Sequence, residues 1–243
     1  MNNENKRIHQ SDTLDIREIG TPIDGRAQYS DRRLYFQLHV IENYRNDSAK
    51  IIEILNRSCL NSVLYDSLNN PNAIGILFIA ENPSDLINES INLIDCSENL
   101  SYRSDMTMIG RTYSSGREPD LEEWLIKKPM SNVLNPNFTW AIWYPLRRKP
   151  EFYQLEPRER GRILGEHAML GRSYAEGGFA KDIRLACFGL DTCDNEFVIG
   201  LVGSELYPLT RLIQDMRSTE QTTKYIDSLG PFFIGKVRKQ FTK

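Results

Sequence analysis

The chain has 243 residues, 40% hydrophobic and 26% charged, with a formal net charge of -3, which excludes a disordered chain and gives no Lys/Arg-rich stripe for nucleic acid. No apolar run approaches the roughly 20 residues needed to span a bilayer, and the polar stretch from Met1 to Arg33 has no apolar core to act as a secretory signal. The cytoplasm is the expected compartment, where Cys59, Cys96, Cys187 and Cys193, which lack C-x-x-C spacing, read as reduced thiols.

Residues 1–30 form a polar lead-in, read as a mobile segment or an arm on a neighbour. Leu34 to Val40 then reads as a strand. Ser48 is placed to cap a helix carrying Ile51, Ile52, Ile54 and Leu55. Ser62 to Tyr65 and Ile74 to Ile79 are two more strands, with Asn69-Asn70-Pro71-Asn72 as the turn. Pro83-Ser84 opens a helix with Leu86, Ile87 and Ile91, and a strand follows near Thr107 to Tyr113.

The second half repeats this order. Thr139 to Tyr144 is an aromatic strand, and Pro157 starts a helix that runs to Gly171 as its C-terminal cap. Asp182 to Leu190 and Glu196 to Val202 are strands joined by the turn Asp191 to Asn195. Ser204 can cap a long helix through about Thr223, and Phe232 to Val237 closes as a strand. Both halves therefore read β-α-β-β-α-β. The fold expected is α+β, two fused ferredoxin-like domains with antiparallel sheets. The boundaries are an arm over 1–30, a first domain over 31–115, a connection over 116–137 and a second domain over 138–243.

Of the three histidines, His9 falls in the polar lead-in and His39 in an alternating strand, where a structural role is expected. His167 differs. It shares a helical face with Ile163, Leu164 and Leu170, so it points inward, as a hydrogen-bonded core residue or as a metal ligand. On the second long helix, the stripe Leu206, Leu209, Leu212, Ile213 and Met216 extends by four residues to Glu220. A carboxylate on a buried stripe needs a partner. Either Arg217 or Arg184 supplies it, or Glu220 takes the Nδ1–H of a metal-bound histidine and makes the imidazole a stronger donor.

Alternation puts Asp182, Arg184, Ala186 and Phe188 on one side of their strand. That side is either a cavity wall or a solvent-facing salt bridge. Tyr144 ends an aromatic stripe, as core or as a side chain beside a cofactor. Arg147-Arg148-Lys149 is a solvated strand end or an anion site. The chain has no G-x-G-x-x-G, P-loop, H-E-x-x-H, EF-hand loop or G-x-S-x-G, so dinucleotide enzymes, kinases and hydrolases lose weight.

Five segments together resemble one known family. They are Tyr144-Pro145-Leu146-Arg147-Arg148, Glu166 to Tyr174, Phe188-Gly189-Leu190-Asp191, Asp215-Met216-Arg217, and Gly230 to Gly235. In order and spacing this set resembles the chlorite dismutase superfamily, most closely its coproheme decarboxylase branch. The resemblance implies heme in the C-terminal domain and a ring-shaped homopentamer. It places the iron ligand on His167, the glutamate that hydrogen-bonds the ligand on Glu220, and the reactive tyrosine on Tyr144. Arg217 and Thr222 fall where the branch holds propionates. Two departures stand out. The branch has Met and Lys where this chain has Leu146 and Arg148, and the distal position falls on Asp182, with Arg184 one pleat on.

The resemblance thus implies a heme-iron oxidoreductase that binds heme b or coproheme and uses hydrogen peroxide to convert coproheme III to heme b. A diverged peroxidase or chlorite-degrading enzyme using Asp182 and Arg184 is the second reading. A non-catalytic heme carrier or sensor, or a heme-free dimeric α+β module, is the third.

Overall fold

The structure is a computed structural model and describes residues 14–243. His9 and the start of the polar lead-in, residues 1–13, lie outside the described residues.

The rest of that lead-in is ordered. β1 (Glu18–Ile23) and β2 (Arg26–Ser30) make a hairpin over Asp24-Gly25. Both turn residues have positive φ, 49° and 75°, the requirement of a tight primed turn that Asp-Gly meets at low cost. The hairpin docks on its own chain. Thr21 N donates to Glu118 O at 2.8 Å, Ile19 N to Ser114 Oγ at 3.2 Å, and Arg111 pairs with Glu18 at 2.9 Å. Residues 18–30 are thus a hairpin docked on this chain, against the expectation of a mobile segment or an arm on a neighbour.

The first half then runs β3 (Tyr35–Glu42), α1 (Ser48–Arg57), β4 (Asn61–Ser67), β5 (Ala73–Ala80), α2 (Pro83–Ile94), β6 (Ser101–Tyr102) and β7 (Met108–Arg111). Ser48 starts α1 but is not its cap. Asp47 occupies that position without a capping hydrogen bond, and Ser48 Oγ instead accepts from Arg238. The connection is not a loop throughout. A π-helical turn at Glu123–Lys127 runs into α3 (Lys128–Val133). The second half runs β8 (Trp140–Arg148), α4 (Glu151–Gln154), α5 (Pro157–Glu176), β9 (Lys181–Ala186), β10 (Phe197–Gly203), α6 (Leu206–Met216), α7 (Glu220–Tyr225), β11 (Ile226–Leu229) and β12 (Phe233–Phe241).

In the first half the antiparallel strand order is β7-β3-β5-β4, and in the second β12-β8-β10-β9. In each, the first and third strands are central and the second and fourth are edges, as expected of ferredoxin-like halves. The edges meet crosswise, β4 on β12 and β7 on β9. The sheet thereby closes into one barrel, which removes the exposed edges that either half would leave alone.

Closure creates three apolar layers. The barrel interior holds Phe36, Leu38, Tyr65, Leu77, Trp143, Leu185, Val198 and Phe233. Outside it, α1 and α2 cover one arc through Ile51, Leu55, Leu86 and Leu93, and α5 and α6 cover the opposite arc. β5 is buried at all eight positions, so its continuous apolar run AIGILFIA reflects packing on both faces.

Three boundaries in the second half differ from the reading of the sequence. α5 continues past Gly171 to Glu176, where Gly177 caps it. Gly171 faces α6, where a Cβ would meet Met216 Cε at an ordinary van der Waals distance of 3.5 Å. β9 stops at Ala186, so Phe188 lies in the turn beyond it. The single helix expected through Thr223 is two, α6 and α7, and its first cap position is Glu205 rather than Ser204. Among the described residues no helix is long and apolar enough to cross a membrane.

Candidate functional site

α5 carries His167 across the outer face of the second half-sheet. Ile163 is fully buried, and Leu170 and Tyr174 pack in one cluster with Trp140, Ile142, Tyr144 and Ile199. Leu164 faces outward at 36% exposure, correcting its assignment to the inward stripe. His167 Nδ1 lies 3.5 Å from Thr219 Oγ1. Thr219 donates its own hydroxyl proton to Met216 O at 2.8 Å, so towards His167 it can only accept. An Nδ1–H tautomer fits that acceptor and leaves the Nε2 lone pair free. Burial, assisted by the charges of Arg148 and Arg184, pushes the His167 pKa down to about 4. At neutral pH the ring is neutral, the form that binds a metal.

The sheet sets the other side of the site. Ile199 is paired with Tyr144 on one flank and Arg184 on the other, and Leu201 with Ile142 and Asp182. Residues directly opposite in a ladder share a face. Tyr144, Asp182 and Arg184 therefore lie under the helices with His167. Tyr144 stacks on Phe232 at 4.7 Å between centroids. Burial raises the Tyr144 phenol well above its ordinary range, the negative charge of Asp182 adds to this, and Arg217 opposes it. Its proton is held at any physiological pH. Asp182 and Arg184 are ion-paired at 3.1 Å, each side chain about two-fifths exposed.

Trp124, Tyr113 and Phe197 were not legible as part of the site, whereas Phe188, Arg148 and Leu146 were. Trp124, on the connecting helical turn, lies 5.2 Å from the Arg184 guanidinium. Tyr113 packs on Phe197 at 5.6 Å, and Phe188 packs on the same ring at 5.3 Å although it is off the strand. Arg148 lies between Phe152 and Phe197. Leu146, 8% exposed, stands opposite Phe197 in the ladder. Trp124 and Tyr113 come from the first half and the connection, where no local signal joins them to α5.

Glu220 is not where the stripe placed it. The helix ends at Met216, a turn follows over Arg217–Thr219, and Glu220 begins α7. Its carboxylate accepts from Arg162 at 2.6 Å and Lys224 at 2.9 Å, neither of them the partner expected. These donors hold the Glu220 pKa below its ordinary value. The polar neighbour of His167 is Thr219, one residue earlier. Thr222 is 3.2 Å from Thr219 through their hydroxyls, and Arg217 caps α6, close enough for its charge to act on Tyr144. A cavity of about 410 Å³ opens beside the β1–β2 hairpin, lined by Ile23, Asp24, Arg26, Ala27 and Gln28. It shares no residue with this cluster, so the arrangement of chemical groups marks the site.

The model of the chlorite dismutase family matches residues 102–238, more than half of the chain. The chain belongs to the chlorite dismutase family. Among the proteins it is similar to, the coproheme decarboxylase of Oceanobacillus iheyensis is 33% identical over 125 residues, 50% of this chain and 47% of that protein. The coproheme decarboxylase of Staphylococcus carnosus is 26% identical over 155 residues, 63% of this chain and 55% of that one. The matched region thus spans about half the length of these relatives. A heme-binding protein from Thermus thermophilus superposes with a TM-score of 0.70 at 17% identity, covering 86% of this chain and 92% of that one. A mutant chlorite dismutase from Candidatus Nitrospira defluvii gives 0.63 at 14% identity, with 86% and 93% covered. At such identities the superpositions show a shared chlorite dismutase fold.

Proposed function

We propose that this chain is a heme-iron oxidoreductase that converts coproheme III to heme b by peroxide-dependent oxidative decarboxylation, with Tyr144 as the reactive side chain. The observation that carries the proposal is one face of the fold. It holds a neutral imidazole with a free Nε2, a half-buried phenol that stays protonated and three cationic side chains, Arg148, Arg184 and Arg217. These residues fit an iron porphyrin with carboxylate arms. His167 would ligate the iron. Arg148 has a buried Nε without a partner, and with Arg217 and Thr222 it would hold the anionic arms. Leu146 and Phe197 would pack against the ring.

When bound, the iron porphyrin supplies the oxidising power drawn from peroxide. The protein supplies position and proton control. Tyr144 keeps its hydroxyl proton until it is oxidised, because burial disfavours the phenolate. Asp182, paired with Arg184, can accept a proton at a carboxylate oxygen from peroxide, and the guanidinium stays cationic throughout. The 33% and 26% identity to two coproheme decarboxylases supports this reading over chlorite chemistry. A cytoplasmic homo-oligomer, pentameric as the family resemblance implies, belongs to the same proposal.

Tyr144→Phe tests it. Wild-type protein with coproheme and peroxide should yield heme b by mass, and the variant should retain coproheme. Conversion by the variant at the wild-type rate would exclude Tyr144 from the reaction. The exposed Asp182–Arg184 pair favours a second reading, a diverged peroxidase in which the porphyrin is a retained cofactor. There Asp182→Asn should abolish peroxide turnover and leave the porphyrin unaltered in mass.

A further inference from the structure

Arg148 is held unlike the other cations of the site. Its side chain is 14% exposed, and its guanidinium lies 4.9 Å from the centroid of Phe152 and 4.6 Å from that of Phe197. Five donors stand in that slot. Nε has no partner. Nη1 is 3.5 Å from the Tyr153 hydroxyl and 4.0 Å from Glu196 Oε2.

Glu196 is equally enclosed, at 13% side-chain exposure, and is placed by the backbone. Its N–H donates to Leu146 O at 3.0 Å, its carbonyl accepts from Cys187 N at 2.7 Å, and Oε2 accepts from Arg148 N at 3.3 Å. Tyr153, on α4, donates its hydroxyl proton to Glu196 Oε2 at 2.8 Å. The hydroxyl thus stands between the two groups, 2.8 Å from the carboxylate and 3.5 Å from Nη1. The result is a buried cation with a carboxylate of its own close by but not closed on it. A guanidinium normally satisfies a carboxylate through two short parallel bonds. Here neither is formed, so most of the fork is left for another anion.

We infer that Glu196 and Tyr153 set the strength of an anion site at Arg148: Glu196 partly neutralises the guanidinium, Tyr153 keeps the pair open, and one carboxylate arm of the bound ligand completes it. Glu196 is a positioning residue, acting through Arg148. This rests on the porphyrin reading above and adds a specificity element to it. A wholly unpaired buried Arg would hold any anionic arm too tightly to exchange it, whereas a closed Arg–Glu pair would accept none.

The test measures binding of metal-free coproporphyrin III, with four carboxylates, and of its tetramethyl ester, with none. Both are read by quenching of tryptophan fluorescence. Glu196→Gln should tighten binding of the acid by roughly tenfold and leave the ester unchanged. Arg148→Met should weaken the acid, and on that background Glu196→Gln should have no effect. Tyr153→Phe, at a side chain largely at the surface, should act in the opposite sense to Glu196→Gln. It frees Glu196 to close on Arg148 and weakens the acid only. The opposite signs separate this device from loss of structure, since a folding defect would weaken acid and ester together. Equal changes for acid and ester, independent effects of Glu196→Gln and Arg148→Met, or weaker acid binding by Glu196→Gln would overturn the inference while leaving the porphyrin reading intact. Failure of the wild-type protein to bind either probe would overturn both.

Discussion

His167 Nδ1 faces Thr219 Oγ1 at 3.5 Å, and Thr219 has already committed its proton to the carbonyl of Met216. The orientation of the imidazole is therefore set by the break between α6 and α7. A histidine ligand depends on the acceptor behind it for tautomer and basicity.

Replacing that acceptor should be costly. Thr219→Val should weaken iron-porphyrin binding by about 10–100-fold, and Thr219→Ser should restore it. Glu220→Gln should matter little, because its carboxylate serves Arg162 and Lys224, both well exposed. Titration of the three variants, followed by absorption in the Soret region, distinguishes the two residues. If Glu220→Gln is the damaging change, the role of Thr219 is wrong.

The second prediction concerns acid. His39 is 7% exposed, with Nε2 2.9 Å from Ser90 Oγ and its ring edge-on to Phe78 and Tyr102. Burial lowers its pKa from 6.5 to about 4. The unfolded chain therefore binds a proton between these values and the folded protein does not. Stability is full above pH 6.5 and falls as the pH drops towards 4, by about 3 kcal/mol from this residue alone. His167 contributes with the same sign. Urea midpoints at pH 7 and pH 4.5 should separate widely for the wild type and less for His39→Gln.

The barrel interior supplies a third. Gly200 stands directly opposite Trp143 in the β8–β10 ladder, and a Cβ there would run into the indole ring. Trp143 is 1% exposed, and Phe36 packs 6.5 Å from it. A filled interior has no slack for the added methyl. Gly200→Ala should cost roughly 1–3 kcal/mol, read as a lowered thermal midpoint. An unchanged midpoint would show that the ring can move aside.

Much of the fold was legible because its signals are local. Pro157 opens α5, alternation marks β8 and β9, and the repeated β-α-β-β-α-β order gives the two halves. Boundaries were misread where packing overrides a local marker. Gly171 looks like a helix end, but α5 continues through it to the cap at Gly177. Glu220 looked like the next step of a helical stripe, but the turn at Arg217–Thr219 rotates it out towards Arg162. The hairpin over Glu18–Ser30 was hidden by its polarity, since it is held mainly by hydrogen bonds to Ser114 and Glu118.

The sequence by itself determined the type and order of the elements in the repeated β-α-β-β-α-β pattern, an inward His167 on a helix, and Tyr144, Asp182 and Arg184 on strands. Each of these depends on periodicity within one segment. Only the tertiary structure decided that the two halves share one closed barrel, that Thr219 stands behind His167, and that Tyr153 stands between Glu196 and Arg148. Each of those depends on which atoms of distant segments come within hydrogen-bonding reach, and spacing along a chain does not encode that distance.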